Sequence, residues 1–142
     1  MDCTAYNWHL TIDKNDFAIA EEVTTKWIHN TKRPDIVIYV NGIALGVIEL
    51  KRASVSIGEG IRQNLDNQKK DFIRNFFTTI QLVMAGNDTQ GIRYGTIETP
   101  EKYYLEWKEG VANTYDNPLD YHLSLLCNKW RLLEVIHDYI VF

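Results

Sequence analysis

The chain has 142 residues, a formal net charge of −4 and 45% apolar residues. This length is typical of one domain, and the ordinary composition argues against a disordered, collagen-like or coiled-coil protein. We therefore expect one compact unit over residues 1–142. No run of 18 apolar residues occurs, so we expect no membrane partner. The N-terminus lacks a secretory signal pattern and the two cysteines lie far apart, which predicts reduced thiols and a cytoplasmic location.

The first half of the chain is rich in predicted strands. Phe17 to Thr25 predicts a first strand, followed by a polar turn at His29 to Arg33. Asp35 to Val40 and Ile43 to Leu50 are rich in β-branched residues and flank Asn41-Gly42, a dipeptide that favours a tight hairpin turn. Both strands are apolar at nearly every position, which predicts central strands that are covered on two faces.

Helical spacing of apolar residues then begins at about Gly58 and continues to Phe76. Three more strands are predicted after this helix: Thr79 to Ala85, Ile92 to Ile97 and Tyr103 to Trp107. From Pro118 the spacing is helical to the end of the chain. A helix that connects two strands of one sheet makes those strands parallel. The elements together predict an α/β fold with a mixed β-sheet flanked by helices.

Asp35, Glu49 and Lys51 form the most informative group of polar residues. A plain two-residue turn would place Asp35 and Glu49 on opposite faces of the hairpin. A bulged turn with Gly42 in the left-handed conformation pairs Asp35 with Val47 and makes Glu49 its diagonal neighbour on the same face. Lys51 lies two residues beyond Glu49 and therefore shares its face. We expect the bulged register.

Two carboxylates and a lysine at the end of a hairpin fit metal-assisted hydrolysis of a phosphodiester. Carboxylate oxygens are ligands that Mg²⁺ prefers, and Mg²⁺ in proteins also binds substrate phosphates. Such an ion lowers the pKa of a bound water and neutralises charge on the phosphorus. A lysine beside it can orient the water or stabilise the transition state. The alternative interpretation is a strand pair whose ends are simply polar.

A basic segment follows the hairpin. Between Lys51 and Asn75, basic residues exceed acidic ones by three, which leaves −7 for the rest of the chain. Because neutralisation of phosphates dominates DNA affinity, this small excess predicts weak DNA binding by the chain alone. A helix surface that only keeps the protein soluble is the alternative. The candidate DNA-binding residues are Arg52, Arg62, Lys69, Lys70, Arg74 and, on a later strand, Arg93.

The spacing of Asp35, Glu49 and Lys51 resembles the PD-(D/E)xK nuclease signature. More narrowly, RPDIVIYVNGIALGVIELK (Arg33 to Lys51) and IRQNLDNQ (Ile61 to Gln68) are similar to the N-terminal endonuclease domain of the R subunit of type I restriction enzymes. The resemblance implies a restriction-endonuclease-like fold. It also implies cleavage of unmethylated double-stranded DNA with Mg²⁺, or Mn²⁺ as a substitute. The implied partners are the methylation and specificity subunits of a prokaryotic restriction complex.

The resemblance also assigns roles to individual residues. Asp35 and Glu49 would bind the metal, and Lys51 would be the catalytic lysine. The family has a Q-x-x-x-Y motif on the following helix. Gln63 matches its glutamine, whereas Asn67 stands in place of its tyrosine.

Gln68 is the rival candidate for the assisting glutamine, because it lies on the inward helix face, where a polar side chain needs a partner. No Walker P-loop is present, so ATP would serve only the translocating motor of the full-length subunit, and residues 1–142 would be its nuclease domain alone. One alternative from another class stays open. It is a non-catalytic module that docks on DNA or on partner subunits, with a vestigial nuclease site.

Overall fold

The computed structural model describes residues 12–27, 30–70, 72–108 and 117–140. The strands are β1 (Phe17–Glu21), β2 (Thr25–Trp27), β3 (Asn30–Lys32), β4 (Ile36–Val40), β5 (Ile43–Leu50), β6 (Leu82–Asn87), β7 (Gly91–Gly95) and β8 (Leu105–Glu106). The helices are α1 (Ile57–Asn67), α2 (Pro118–Leu126) and α3 (Lys129–Glu134), which continues as a π-helical segment (Val135–Tyr139).

Within these ranges, six strands form one sheet in the order β1-β4-β5-β6-β7-β8, and β2 pairs with β3 in a separate ribbon. Neighbouring strands of the sheet are antiparallel except β5 and β6, which run parallel and are connected by α1. The predicted mixed sheet with a helical connection between parallel strands is therefore confirmed. The architecture is consistent with a restriction-endonuclease-like fold.

Both faces of the sheet are covered by hydrophobic clusters. On one face, α1 packs through Ile61 against Val47 and Val83. On the other face, Ile48 and Met84 pack with residues of the C-terminal helices. Burial of each such side chain stabilises the fold by about 1.5–3 kcal/mol. The continuous apolar character of β5 and β6 follows from this double coverage. In the described part of the chain, no helix has both the length and the apolar character needed to cross a membrane.

The hairpin between β4 and β5 turns at Asn41 and Gly42, which both have positive φ values of 52° and 77°. Tyr39 pairs with Ala44 beside this turn, as in a plain two-residue connection. The prediction of a bulge at the turn was therefore wrong. Two successive left-handed residues close the turn without an extra residue.

The bulge lies further along the hairpin instead. Ile38 pairs with Gly46, so Leu45 is an extra residue in β5. One extra residue moves every later side chain of the strand to the other face. Continuing the observed pairing past the last paired residues places Asp35 opposite Glu49 rather than opposite Val47. The two carboxylates therefore share a face of the hairpin, as predicted, but the register that brings them together differs from the predicted one.

Several element boundaries differ from the sequence prediction. The first strand ends at Glu21, and Thr25 begins the ribbon. Asn30–Lys32 form β3 where a turn was predicted, and His29 lies outside the described residues. The strand predicted to end at Ala85 continues to Asn87, and β8 is limited to Leu105–Glu106.

The helix predicted to reach Phe76 ends at Asn67. A 3₁₀ segment, Arg74–Thr78, follows it and places Phe77 in the core with 2% exposure. The Ile73 N–H bonds back to the Asn67 carbonyl at 3.2 Å, which turns the chain away from the helix axis. Near the C-terminus, Asn117 caps α2 with Pro118 in its first turn, as predicted.

Gly91 offers a test of how α2 is fixed to the sheet. A Cβ at Gly91 would lie 2.3 Å from His122 Nδ1, which accepts the Ile92 N–H at 3.0 Å. Gly91→Ala should therefore lower the free energy of unfolding by about 2–3 kcal/mol, from left-handed backbone strain plus a lost hydrogen bond. Gly42→Ala is the control, because Gly42 also has positive φ but has no atom within 4 Å of such a Cβ. It should cost about 1 kcal/mol. Equal losses in urea unfolding would contradict the close contact.

Candidate active site

Asp35 and Glu49 meet where β4 begins and β5 ends. The Asp35 Oδ2 accepts the Leu50 N–H at 2.7 Å, which fixes the carboxylate against the neighbouring strand. The Glu22 N–H donates to the Asp35 carbonyl at 2.9 Å and holds its backbone from the other side. Glu49 is 0% exposed, and the half-buried Asp35 carboxylate acts electrostatically on it. A buried acidic group and a half-buried one are thus held close together.

Helix α1 brings Gln63 onto this pair. The Gln63 Nε2 donates to Glu49 Oε2 at 2.8 Å, and the Gln63 Oε1 accepts a hydrogen bond from Lys51 Nζ. Gly60 permits this approach, because a Cβ there would lie 3.1 Å from Ala85 Cβ and 3.5 Å from Lys51 Cγ. The four side chains of Asp35, Glu49, Lys51 and Gln63 are called the carboxylate–lysine site below.

The charge state of Glu49 is strongly perturbed. Burial and the neighbouring Asp35 carboxylate together raise the pKa of Glu49 from 4.5 to about 8, while Lys51 and Lys32 oppose the shift. The Glu49 Oε1 is buried and has no hydrogen-bond partner among the described residues. An unsatisfied buried oxygen costs about 1–3 kcal/mol. Burial of this carboxyl therefore lowers the stability of the fold.

These donors fit a hard divalent cation. The unpartnered Oε1 of Glu49 lies in a buried site beside a second carboxylate, and carboxylate oxygens are what Mg²⁺ prefers. The described residues contain no group of three or more His, Cys, Asp or Glu side chains that could hold a metal. One or two carboxylates together with waters and substrate phosphates are nevertheless the usual ligand set of Mg²⁺.

Gln68, the rival glutamine, lies elsewhere. Its Oε1 accepts the Glu98 N–H at 2.6 Å, and its Nε2 donates to the Asn64 carbonyl at 3.2 Å. The amide therefore ties the end of α1 to the loop after β7. Of the two glutamines, Gln63 is the one that contacts the carboxylates. Asn67, at the position of the family's tyrosine, is 1% exposed, and its Oδ1 has no partner among the described residues.

The candidate DNA-binding residues divide into two groups. Four of them make ion pairs: Arg62 with Glu101 (2.8 Å), Lys69 with Asp66 (2.5 Å), Arg74 with Glu98 (2.8 Å) and Arg93 with Glu106 (3.4 Å). Arg52 and Lys70 are exposed and make no ion pair with another described residue. Three of the six basic residues between Lys51 and Asn75 are therefore neutralised by acidic residues, two of which are distant in sequence.

The structure adds one residue that the sequence interpretation missed. Lys32, at the end of β3, is half-buried, and its Nζ lies 4.6 Å from the centroid of the Phe72 ring. Its positive charge acts on the Glu49 carboxyl. The available sequence signal was its position three residues before Asp35, which says nothing about where the ribbon places the side chain.

Comparisons with known proteins identify the family. A sequence profile described as type I restriction enzyme R protein N terminus matches residues 6–102, about two thirds of the chain. The chain belongs to this family. The family resemblance seen in the sequence is thereby confirmed.

Two relatives of this chain are named endonuclease subunits of type I restriction enzymes. The relative from Staphylococcus saprophyticus is 26% identical over 130 residues, which cover 90% of this chain and 14% of the relative. The relative from Escherichia coli is 29% identical over 119 residues, which cover 80% of this chain and 38% of the relative. The chain thus spans much less than two thirds of the length of either.

The raised pKa of Glu49 predicts a pH-dependent stability in chelator-treated protein. The folded state keeps a proton that the unfolded state releases above pH 4.5. The free energy of unfolding should therefore fall as pH rises from about 4.5 to about 8, and then level off. Glu49→Gln should remove this fall, and the variant should exceed the wild type in stability by on the order of 4 kcal/mol at pH 8.

Urea unfolding at several pH values checks this difference. Glu59→Gln, an exposed carboxyl on α1, is the matched control and should leave the wild-type profile in place. Parallel profiles for the wild type and Glu49→Gln would show that Glu49 is not the titrating group.

Proposed function

We propose that this chain hydrolyses phosphodiester bonds of double-stranded DNA with the help of a divalent cation. The observation that carries the proposal is the Asp35–Glu49 pair, in which the buried Oε1 of Glu49 has no hydrogen-bond partner among the described residues, while Gln63 contacts both Glu49 and Lys51. A purely structural carboxyl would be expected to have all its buried oxygens satisfied. The unsatisfied Oε1 of Glu49 therefore favours binding of a ligand that the described residues do not provide.

Asp35 and Glu49 would hold the ion, Mg²⁺ or Mn²⁺ in its place. The bound ion would lower the pKa of a water and neutralise charge on the phosphorus. The Leu50 N–H donates to Asp35 Oδ2 and so orients the carboxylate. The other oxygen, Oδ1, would then be available to the ion. Glu49 gives up its carboxyl proton to become a ligand, since ligating carboxylates must be ionised.

Lys51 would act on the substrate. Its Nζ donates to Gln63 Oε1, so the ammonium is held beside the carboxylates. An ammonium fixed in a site that largely excludes water stabilises negative charge that develops on the phosphate oxygens. Gln63 serves both groups at once, because its Nε2 donates to Glu49. Loss of Gln63 would release Lys51 and Glu49 together.

The wider context is proposed from the relatives, whose names describe endonuclease subunits of type I restriction enzymes. In a complete prokaryotic, cytoplasmic complex, methylation and specificity subunits would select unmethylated DNA, and an ATP-driven motor would deliver the duplex to this domain. Delivery of this kind raises the effective DNA concentration without new contacts. Asn67 at the tyrosine position favours the second candidate, a docking module with a vestigial site.

Metal binding separates the two candidates. The wild-type chain should bind Mn²⁺ in calorimetry above about pH 8, where Glu49 is ionised. Asp35→Asn and Glu49→Gln should each weaken binding by at least about tenfold, since even indirect metal-site partners are worth that much. Glu59→Gln is again the control. Unchanged affinity in both site variants would contradict the proposed site, and DNA binding without any metal binding would favour the docking module.

DNA binding by the chain alone should be weak. Four of the six candidate basic residues are already ion-paired, and well-bound DNA proteins make about 6–10 phosphate contacts. Fluorescence anisotropy with a labelled duplex at about 150 mM salt should give a dissociation constant above about 1 μM. At low salt, Arg52→Gln should weaken binding more than Arg62→Gln, because Arg62 is paired with Glu101. Submicromolar binding would reveal a DNA surface other than these residues.

A further inference from the structure

The β2–β3 ribbon leaves the sheet next to the carboxylate–lysine site. It is inserted between β1 and β4, whose ends are joined by the pairing of Glu21 with Ile36 and by the bond from the Glu22 N–H to the Asp35 carbonyl. The ribbon therefore departs from and returns to the sheet at the level of Asp35. Lys32 is its last residue and pairs with Thr25.

Lys32 is held in place without an acidic partner. Its ammonium lies 4.6 Å from the centroid of the Phe72 ring, within the range of a cation–π interaction. Among the described residues, no carboxylate lies within ion-pair distance of it. By contrast, four of the predicted DNA-binding residues are neutralised by ion pairs with carboxylates. Lys32 thus presents a positive charge whose counterion the described residues do not provide.

The position of the Lys32 ammonium indicates a function for it. The Lys32 charge acts on the Glu49 carboxyl, so the ammonium lies in the electrostatic neighbourhood of the carboxylate–lysine site. Lys51 already occupies the place next to the two carboxylates. Lys32 provides a second positive charge on the ribbon, which joins the sheet at the level of Asp35. A lysine ammonium is a compact charge that suits a phosphate oxygen.

We propose that Lys32, steadied by Phe72, binds a phosphate adjacent to the one that is cleaved and so positions the DNA strand across the carboxylate–lysine site. This inference rests on the proposed nuclease function. Lys32 is a positioning residue, because it acts on the strand and not on the reacting atoms. Its removal should weaken DNA binding and raise KM, while kcat for bound DNA changes little.

The salt dependence of DNA affinity tests the inference on the full chain. Binding of a labelled duplex is measured between about 20 and 150 mM salt, with Ca²⁺ present. Lys32→Gln should weaken binding several-fold at low salt and reduce the slope of log K against log salt by about 0.9, the value for one phosphate contact. Lys32→Arg should restore the slope, because the charge is retained.

Lys26→Gln is the matched control. Lys26 is an exposed lysine on the same ribbon, but it pairs with Thr31 and therefore lies on the opposite face from Lys32. It should leave the slope unchanged. Phe72→Leu should weaken DNA binding less than Lys32→Gln does. It removes the aromatic ring that holds the Lys32 ammonium in place but keeps the positive charge.

An unchanged slope in Lys32→Gln, or equal losses in Lys32→Gln and Lys26→Gln, would overturn the inference. Calorimetry with Mn²⁺ on the same variants keeps the two proposals apart. If the wild type binds Mn²⁺ and the Lys32→Gln slope is unchanged, only the role of Lys32 fails. If the wild type binds no Mn²⁺, the nuclease proposal fails.

Discussion

One extra residue in β5 determines on which face of the sheet the polar end of that strand lies. With Leu45 accommodated as a bulge, Glu49 shares a face with Asp35 and lies beneath α1. Without that shift, the same turn would place Glu49 among the apolar side chains that pack against the C-terminal helices. The local irregularity of the hairpin is therefore the constraint on which the arrangement of both carboxylates depends.

Covering this end of the hairpin with α1 has an energetic consequence. The helix provides Gln63, which satisfies Glu49 Oε2 and holds Lys51, but it also removes the carboxyl from water. Burial beside Asp35 raises the pKa of Glu49 to about 8 and leaves Oε1 without a partner among the described residues. Sites that bind ligands commonly carry such a loss of stability. The well-packed clusters on both sheet faces offset it.

Local sequence signals predicted the parts of the fold that local chemistry determines. The Asn41-Gly42 turn, the two apolar strands beside it and the parallel pairing across α1 all follow from such signals. The position of the bulge does not, because it depends on how both faces of β5 pack. The end of α1 was also missed, since the apolar spacing of Phe72 and Phe76 continues past the helix into a 3₁₀ segment.

Long-range contacts limited the prediction of the site. Gln63 and Gln68 could not be distinguished in the sequence, because the partner that occupies Gln68 is the backbone of Glu98, thirty residues away. The pairing of Arg62 with Glu101 across thirty-nine residues was equally hidden. The position of the Lys32 side chain depends on the path of the β2–β3 ribbon, which no local sequence pattern predicts.

Anomalous diffraction from crystals soaked in Mn²⁺ above pH 8 tests the central claim most directly, because the soak is performed where Glu49 is ionised. The account predicts one anomalous peak, from a Mn²⁺ ion that is coordinated by an oxygen of Asp35 and by Glu49 Oε1. Gln63 should still be hydrogen-bonded to Lys51. A map without a peak at millimolar Mn²⁺, in crystals in which Asp35 and Glu49 keep their positions, would contradict it.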